Sequence, residues 1–172
     1  MKLWTIGHST RSSEDLQVLL KANSIRALVD VRSFPGSRRN PQFNRSQLER
    51  ALEASGIEYH HLPNLGGLRT PSPSSRNTGL KNPSFRGYAD HMESREFEQG
   101  IDELIKLAER EMTVIMCAEA LWWNCHRSMI SDYLKSINVE VIHILDTGTQ
   151  PHSYSEGARI VAGRLTYRGL FD

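Results

Sequence analysis

Short apolar runs alternate with amphipathic stretches along most of the chain, and that alternation predicts its elements. Residues 3–6 (LWTI) form an apolar run ending in Gly7-His8-Ser9 and read as a first strand. Ser12 or Ser13 can cap a helix whose first turn carries Glu14 and Asp15, where the helix dipole favours acid. Leu16, Leu19 and Leu20 give that helix its apolar stripe, and Asn23 is a suitable stop. Residues 27–31 (ALVDV) are almost continuously apolar, as parallel strands are. A helix over 46–55 places Leu48 and Leu52 four residues apart and ends at Gly56, and residues 57–62 read as a third strand. Helical periodicity returns over 85–110, broken near Ser94, with Phe97, Ile101, Leu104, Ile105 and Ala108 on its buried side. Residues 113–116 then predict a buried strand, 128–137 a helix and 139–145 a further strand. The tail from Asp146 is polar until ARIVAGRLTY at 158–167, which reads as a hairpin turning at Ala162-Gly163.

Strands and helices in this order argue for an α/β fold: a mainly parallel sheet with helices on both faces, plus a C-terminal β-hairpin. The 172 residues fit one domain, spanning 1–172, with a core that needs no staples. Residues 63–83, rich in Pro, Gly, Ser and Thr, are long for a connection inside a compact domain and read as a functional or mobile loop. Residues 146–172 are the tail that includes the hairpin.

Composition narrows the classes. The net charge of +1 gives no general pull toward polyanions, so any nucleic-acid reading rests on local arginines such as Arg38, Arg39 and Arg45. No window approaches the roughly 18 apolar residues of a membrane span. The opening MKLWTIGHS is too short and polar for a signal peptide. A cytoplasmic location with reduced thiols is the expectation, since Cys117 and Cys125 make no disulfide framework.

The densest chemistry lies in residues 113–128, TVIMCAEALWWNCHRS, on a strand-to-helix connection. Open α/β sheets gather ligands at such strand ends. In the predicted sheet His8, Asp30, Arg32, Cys117 and Glu119 follow the carboxyl ends of three strands and converge on one crevice. Asp30, Glu119, Cys117, Cys125 and His126 are the candidate catalytic residues. His8, Ser9, Arg32, Arg69 and Arg127 are the candidate substrate-binding residues. Cys125, beside His126 and Arg127 and before a helix, is placed for a depressed thiol pKa, or it is simply a small buried side chain, as Cys117 equally is. Arg127 and Ser128 at a helix start make an anion cradle in principle. Asp30 in a buried strand must be paired, most simply with Arg32, and serves either as a salt bridge or as a general base. Trp122 and Trp123 plug the core or offer a stacking surface. C-x7-C-H is wider than zinc knuckles use, so no metal site is assigned, and no motif names a cofactor.

The motifs T-I-G-H-S at 5–9, L-V-D-V-R-x-x-P at 28–35, L-G-G-L-R at 65–69, F-x-G-Y-A-D-x-M at 85–92, and M-C-A-E with C-H-R at 116–127 occur together and in order. In this the chain resembles the domain of unknown function 488 family over nearly its full length. The resemblance implies a compact, cytoplasmic prokaryotic α/β protein. Its signature residues fall here on His8, Ser9, Asp30, Arg32, Pro35, Cys117, Glu119, Cys125, His126 and Arg127. It brings no reaction with it. A looser similarity is to rhodanese-like and Cys-dependent phosphatase domains, which set a Cys after a buried strand and an Arg at a helix start. Here the span from Cys117 to Arg127 is longer than their anion loops.

Three functions compete. The first is an enzyme acting on a phosphorylated, nucleotide-like or nucleic-acid ligand, with arginines holding the anion. The second is a non-catalytic nucleic-acid or partner-binding module. The third is a thiol-dependent sulfur-transfer or redox protein.

Overall fold

The computed structural model describes residues 1–169. In order come β1 (Lys2–Gly7), α1 (Ser13–Ala22), β2 (Ala27–Asp30), α2 (Arg45–Glu53), β3 (Glu58–His61), α3 (Pro83–His91) and α4 (Arg95–Arg110). They are followed by β4 (Thr113–Cys117), α5 (Arg127–Ser136), β5 (Glu140–Leu145), β6 (Gly148–Pro151), β7 (Arg159–Val161) and β8 (Arg164–Thr166). Ser12 caps α1, its Oγ accepting from the Asp15 N–H at 3.0 Å, with Glu14 and Asp15 in the first turn. The predicted break near Ser94 is a cap as well: Ser94 Oγ accepts from the Phe97 N–H at 3.2 Å and starts α4. Phe97, Ile101 and Leu104 are buried on α4, while Ile105 and Ala108 are partly buried beside them.

The main sheet runs β3-β2-β4-β1-β5-β6, and the pairs among its first five strands are parallel. Side chains alternate across it, so Val114 and Met116 of β4 pack with α1 and α2 through Leu16, Leu20, Leu48 and Leu52. Ile115 and Cys117 face the other way, toward α4 and α5, with Leu104, Met129, Ile130 and Leu134. Burying each such Leu or Ile is worth about 1.5–3 kcal/mol, which makes these two faces the main source of stability. Helices on both faces and the β7-β8 hairpin agree with the expectation from sequence.

One strand departs from it. β6 pairs antiparallel with β5 inside the stretch that read only as polar tail. All four of its residues, GTQP, are exposed, so no apolar alternation marks it. It is an edge strand held through its backbone, and Pro151 is tolerable there because an edge strand has a side without ladder bonds.

The topology creates a crevice. After β1 the chain leaves toward the α1 face, whereas after β4, its neighbour in the sheet, it leaves toward the α5 face. Diverging connections from adjacent parallel strands open the switch point where α/β proteins bind ligands. Among the described residues no helix is long and apolar enough to cross a membrane.

Candidate functional site

The carboxyl ends of β2, β4 and β1 lie side by side, with Asp30 opposite Met116 and Gly7 opposite Cys117. The loops continue the register, since the His8 N–H donates to the Cys117 carbonyl at 2.9 Å and the Ser9 N–H to that of Ala118 at 2.9 Å. A Cβ on residue 7 would lie 1.7 Å from the Glu119 carbonyl oxygen, so only glycine lets the two loops pass this closely. The resulting cleft, of about 550 Å³, is lined by His8, Ser9, Arg32, Cys117, Glu119, Cys125 and His126 together with parts of the 33–40 and 67–68 loops.

One wall is built on a buried ion pair. Asp30 Oδ1 accepts from Arg32 Nε at 2.8 Å and from the Arg32 N–H at 3.1 Å, and Oδ2 accepts from Arg32 Nη2 at 2.6 Å and from the Tyr59 hydroxyl at 2.8 Å. The pairing read from the sequence is therefore present, and Asp30 is fully shielded. Arg32 Nη2 also donates to the Phe43 carbonyl at 2.8 Å, and Nη1 donates to His8 Nε2 at 3.2 Å. His8 in turn donates from Nδ1 to the Ser9 carbonyl at 2.8 Å and stacks on Phe43. Burial lowers the His8 pKa to about 4, outweighing the Ser9 bond, and the ring is neutral at pH 7.

The floor holds both cysteines. Cys117 and Cys125 are 2% and 6% exposed, both are free thiols, and their sulfurs lie 2.8 Å apart with Cys125 as donor. Burial raises the Cys117 pKa, but the Cys125 hydrogen bond and the charge of Arg127 outweigh it, so the thiol sits below the ordinary value. Cys125 moves the opposite way, pushed up first by its bond to Cys117 and then by burial. The sequence placed the depressed thiol at Cys125; the geometry gives that role to Cys117.

His126 donates from Nε2 to the Val31 carbonyl at 3.0 Å, which leaves Nδ1 as an acceptor 3.4 Å from Cys125 Sγ. Burial lowers its pKa to about 4. Its ring rests on Gly67, where an added Cβ would come within 2.8 Å of Nδ1, and this accounts for a glycine in the L-G-G-L-R motif.

Arg127 is the largest fully buried side chain among the described residues. Its Nη2 donates to the carbonyls of Glu119 and Ala120 at 3.2 and 3.3 Å, while Nε and Nη1 have no hydrogen-bond partner. The sequence set this residue in the open crevice; it lies beneath the wall and does not line the cleft. The start of α5 is also engaged internally, the Arg127 N–H on Cys125 Sγ at 3.4 Å and the Ser128 N–H on the Cys125 carbonyl at 2.9 Å.

The family described as domain of unknown function DUF488 matches residues 12–134. The chain belongs to this family. The matched stretch of this DUF488 protein includes Asp30, Arg32, Arg69, Cys117, Glu119, Cys125, His126 and Arg127, and begins after His8 and Ser9. No curated protein and no solved structure matches the chain.

In this DUF488 protein the cleft unites eight sequence-selected residues: His8, Ser9, Arg32, Cys117, Glu119, Cys125 and His126 line it, and Asp30 anchors Arg32 behind it. Glu119 is exposed and Ser9 half-buried. Arg69 stays outside, donating to the Gly66 carbonyl and to Glu96 at 3.1 and 3.4 Å. Trp122 is buried and stacks on His143, whereas Trp123 is about half exposed. Sequence reasoning passed over Phe34, Gly67 and Leu68, which also line the cleft. Their proximity to V-D-V-R and their place in L-G-G-L-R were the available signals.

Proposed function

We propose that this DUF488 protein is a dithiol enzyme that exchanges with a small disulfide-bearing substrate in the cleft through Cys117 and Cys125. The observation that carries this reading is the 2.8 Å separation of two sulfurs at the cleft floor. Arg127 supports it. A guanidinium stays protonated, and a buried cation without an anion is costly. Ionised Cys117 adds negative charge close to Arg127, and Arg127 favours that thiolate in return.

In the reaction the Cys117 thiolate attacks one sulfur of the substrate disulfide. The substrate S–S bond breaks, a mixed disulfide forms on Cys117, and the first substrate thiolate leaves. Capping Cys117 removes the negative charge and the hydrogen bond that kept Cys125 protonated, so the Cys125 pKa falls. His126 Nδ1 accepts the Cys125 proton, and Cys125 Sγ attacks Cys117 Sγ. The second substrate thiolate leaves and takes up that proton. The protein dithiol has lost two electrons to the substrate, which ends as one thiolate and one thiol, the thiolate then taking from solvent the proton that Cys117 gave up on ionising. An external thiol reverses the sequence.

Mass spectrometry of the native protein with excess small disulfide tests this. Wild type is expected to lose two hydrogens as the Cys117–Cys125 bond forms. Cys125→Ser is expected to accumulate a mixed disulfide on Cys117, and Cys117→Ser to react far more slowly. Two thiols that stay unmodified in the folded wild type would sink the proposal.

A phosphate-bearing ligand or nucleic acid is the weaker reading, because Arg32 is engaged by Asp30, Arg69 by Gly66 and Glu96, and Arg127 lies under the wall. It calls for binding that weakens steeply with salt.

A further inference from the structure

The two most exposed large apolar side chains among the described residues are Leu68 at 84% and Phe34 at 79%. Singly exposed apolar residues are ordinary. These two come from separate loops and line the same cleft as the thiols. Neither contributes buried surface to the fold.

Both are presented by anchored backbone. Leu68 has φ +60°, the left-handed conformation that a leucine disfavours. Its neighbours hold it there: Ser33 Oγ donates to the Gly67 carbonyl at 2.8 Å, and Arg69 Nε donates back to the Gly66 carbonyl at 3.1 Å. Gly67 cannot shift toward the core because the His126 ring fills that side. The Phe34 loop is tied by the Gly36 N–H to the Phe34 carbonyl at 2.8 Å and by the Arg45 N–H to the Pro35 carbonyl at 2.9 Å. A disfavoured backbone held by its surroundings so as to expose an apolar group is a mark of a binding site.

We infer that Phe34 and Leu68 form an apolar subsite of the cleft that grips an aromatic or branched hydrocarbon group of a small molecule. A cleft of about 550 Å³ is the size small ligands use. Glu119 is the exposed charged side chain lining it, so the ligand is neutral or cationic rather than acidic. The inference deepens the dithiol reading by naming the substrate class, an aromatic or branched-alkyl disulfide, and its sulfur part rests on that reading.

The experiment separates the two. A probe that cannot exchange, 2-(methylthio)pyridine, is titrated into the reduced full-length protein and followed by NMR, alongside Phe34→Ala, Leu68→Ala and the control Trp123→Ala. Trp123 is exposed but lies outside the cleft lining. Saturable binding to wild type and Trp123→Ala is expected, weakened roughly tenfold in each rim variant, as loss of one apolar contact implies. Melting temperatures of both rim variants should match wild type, since both side chains are exposed. No saturable binding to wild type, or equal binding by all four proteins, overturns the subsite. So does a rim variant whose only change is loss of self-association, which would make the pair an interface between copies. A protein that binds the thioether yet never forms the Cys117–Cys125 disulfide keeps the subsite and loses the dithiol reading.

Discussion

Asp30 and Asp132 are both fully buried carboxylates, and both oxygens of each accept hydrogen bonds, yet the two solve burial differently. Asp30 meets a cation: Arg32 grips it through Nε and Nη2, and the pair forms a wall of the cleft. Asp132, inside α5, meets three separate hydrogen-bond donors. Its Oδ1 accepts from the Ser155 N–H and from His152 Nε2, each at 2.9 Å, and its Oδ2 accepts from the Tyr167 hydroxyl at 2.7 Å. The chain continues to β1. His143 Nε2 and His152 Nδ1 share a hydrogen bond at 2.9 Å, and Thr5 Oγ1 and His143 Nδ1 share one at 2.7 Å. Burial lowers the His143 pKa to about 3, so that ring is neutral at pH 7. An ion pair serves where the chain must hold charge beside the cleft. Several donors from separate residues serve where it must clamp its tail to α5 and β1.

The same substitution in both places should separate the two solutions most sharply. Asp30→Asn leaves the buried Arg32 charge uncompensated and is expected to cost about 3–5 kcal/mol in urea unfolding. Asp132→Asn keeps an acceptor for His152 and is expected to cost about 1–2 kcal/mol. Equal losses would break the distinction.

Acid tests both networks next. His8 beside Arg32 has its pKa lowered to about 4, and His143 in the Asp132 chain to about 3, burial being the main cause for each. Both are neutral when folded and take up a proton near the ordinary 6.5 when unfolded. Their contribution is therefore complete above pH 6.5 and declines as the pH falls toward 4, by about 1.4 kcal/mol per pH unit for each histidine. Urea midpoints measured across that window should drop on acidification, and His8→Gln or His143→Gln should each flatten the slope by one such increment. A slope unchanged by His143→Gln would remove His143 from the acid response.

The smallest contrast lies in the hydroxyls. Tyr167→Phe removes a fully buried donor to Asp132 and is expected to cost about 1.5–2 kcal/mol, against about 0.5–1 kcal/mol for Tyr59→Phe at the half-buried edge of Asp30. Thermal melts of the pair should keep that order.

The two networks were also unequally legible in the sequence. Asp30 and Arg32 are two residues apart on a buried strand end, so their pairing followed from the cost of an unpaired carboxylate. Asp132 meets His152 and Tyr167 across |i−j| of 20 and 35, and no local rule fixes how the tail lies on α5. Strands β1, β2 and β4 were legible because burial on both faces makes them largely apolar. β6 was not, because its four residues are all exposed. The strand-end crevice could be read from topology, but the contact between Cys117 and Cys125 depends on how the 118–126 loop folds back, which spacing does not specify. Arg127 misled because an arginine at a helix start ordinarily faces water, whereas here it supports the wall from below.

The central place of β1 bears on how the chain is made. It leaves the ribosome well before β4 and β5, its neighbours in the sheet, with Trp4 paired to Val114 on one side and to Ile142 on the other. At roughly 5–20 residues per second of synthesis, the opening strand waits many seconds for both edges to be covered. During that interval an almost wholly buried apolar strand stands uncovered, and β2 with β3 has no central strand to dock against. Nascent chains stalled before residue 140 should therefore stay protease-sensitive and engage chaperones.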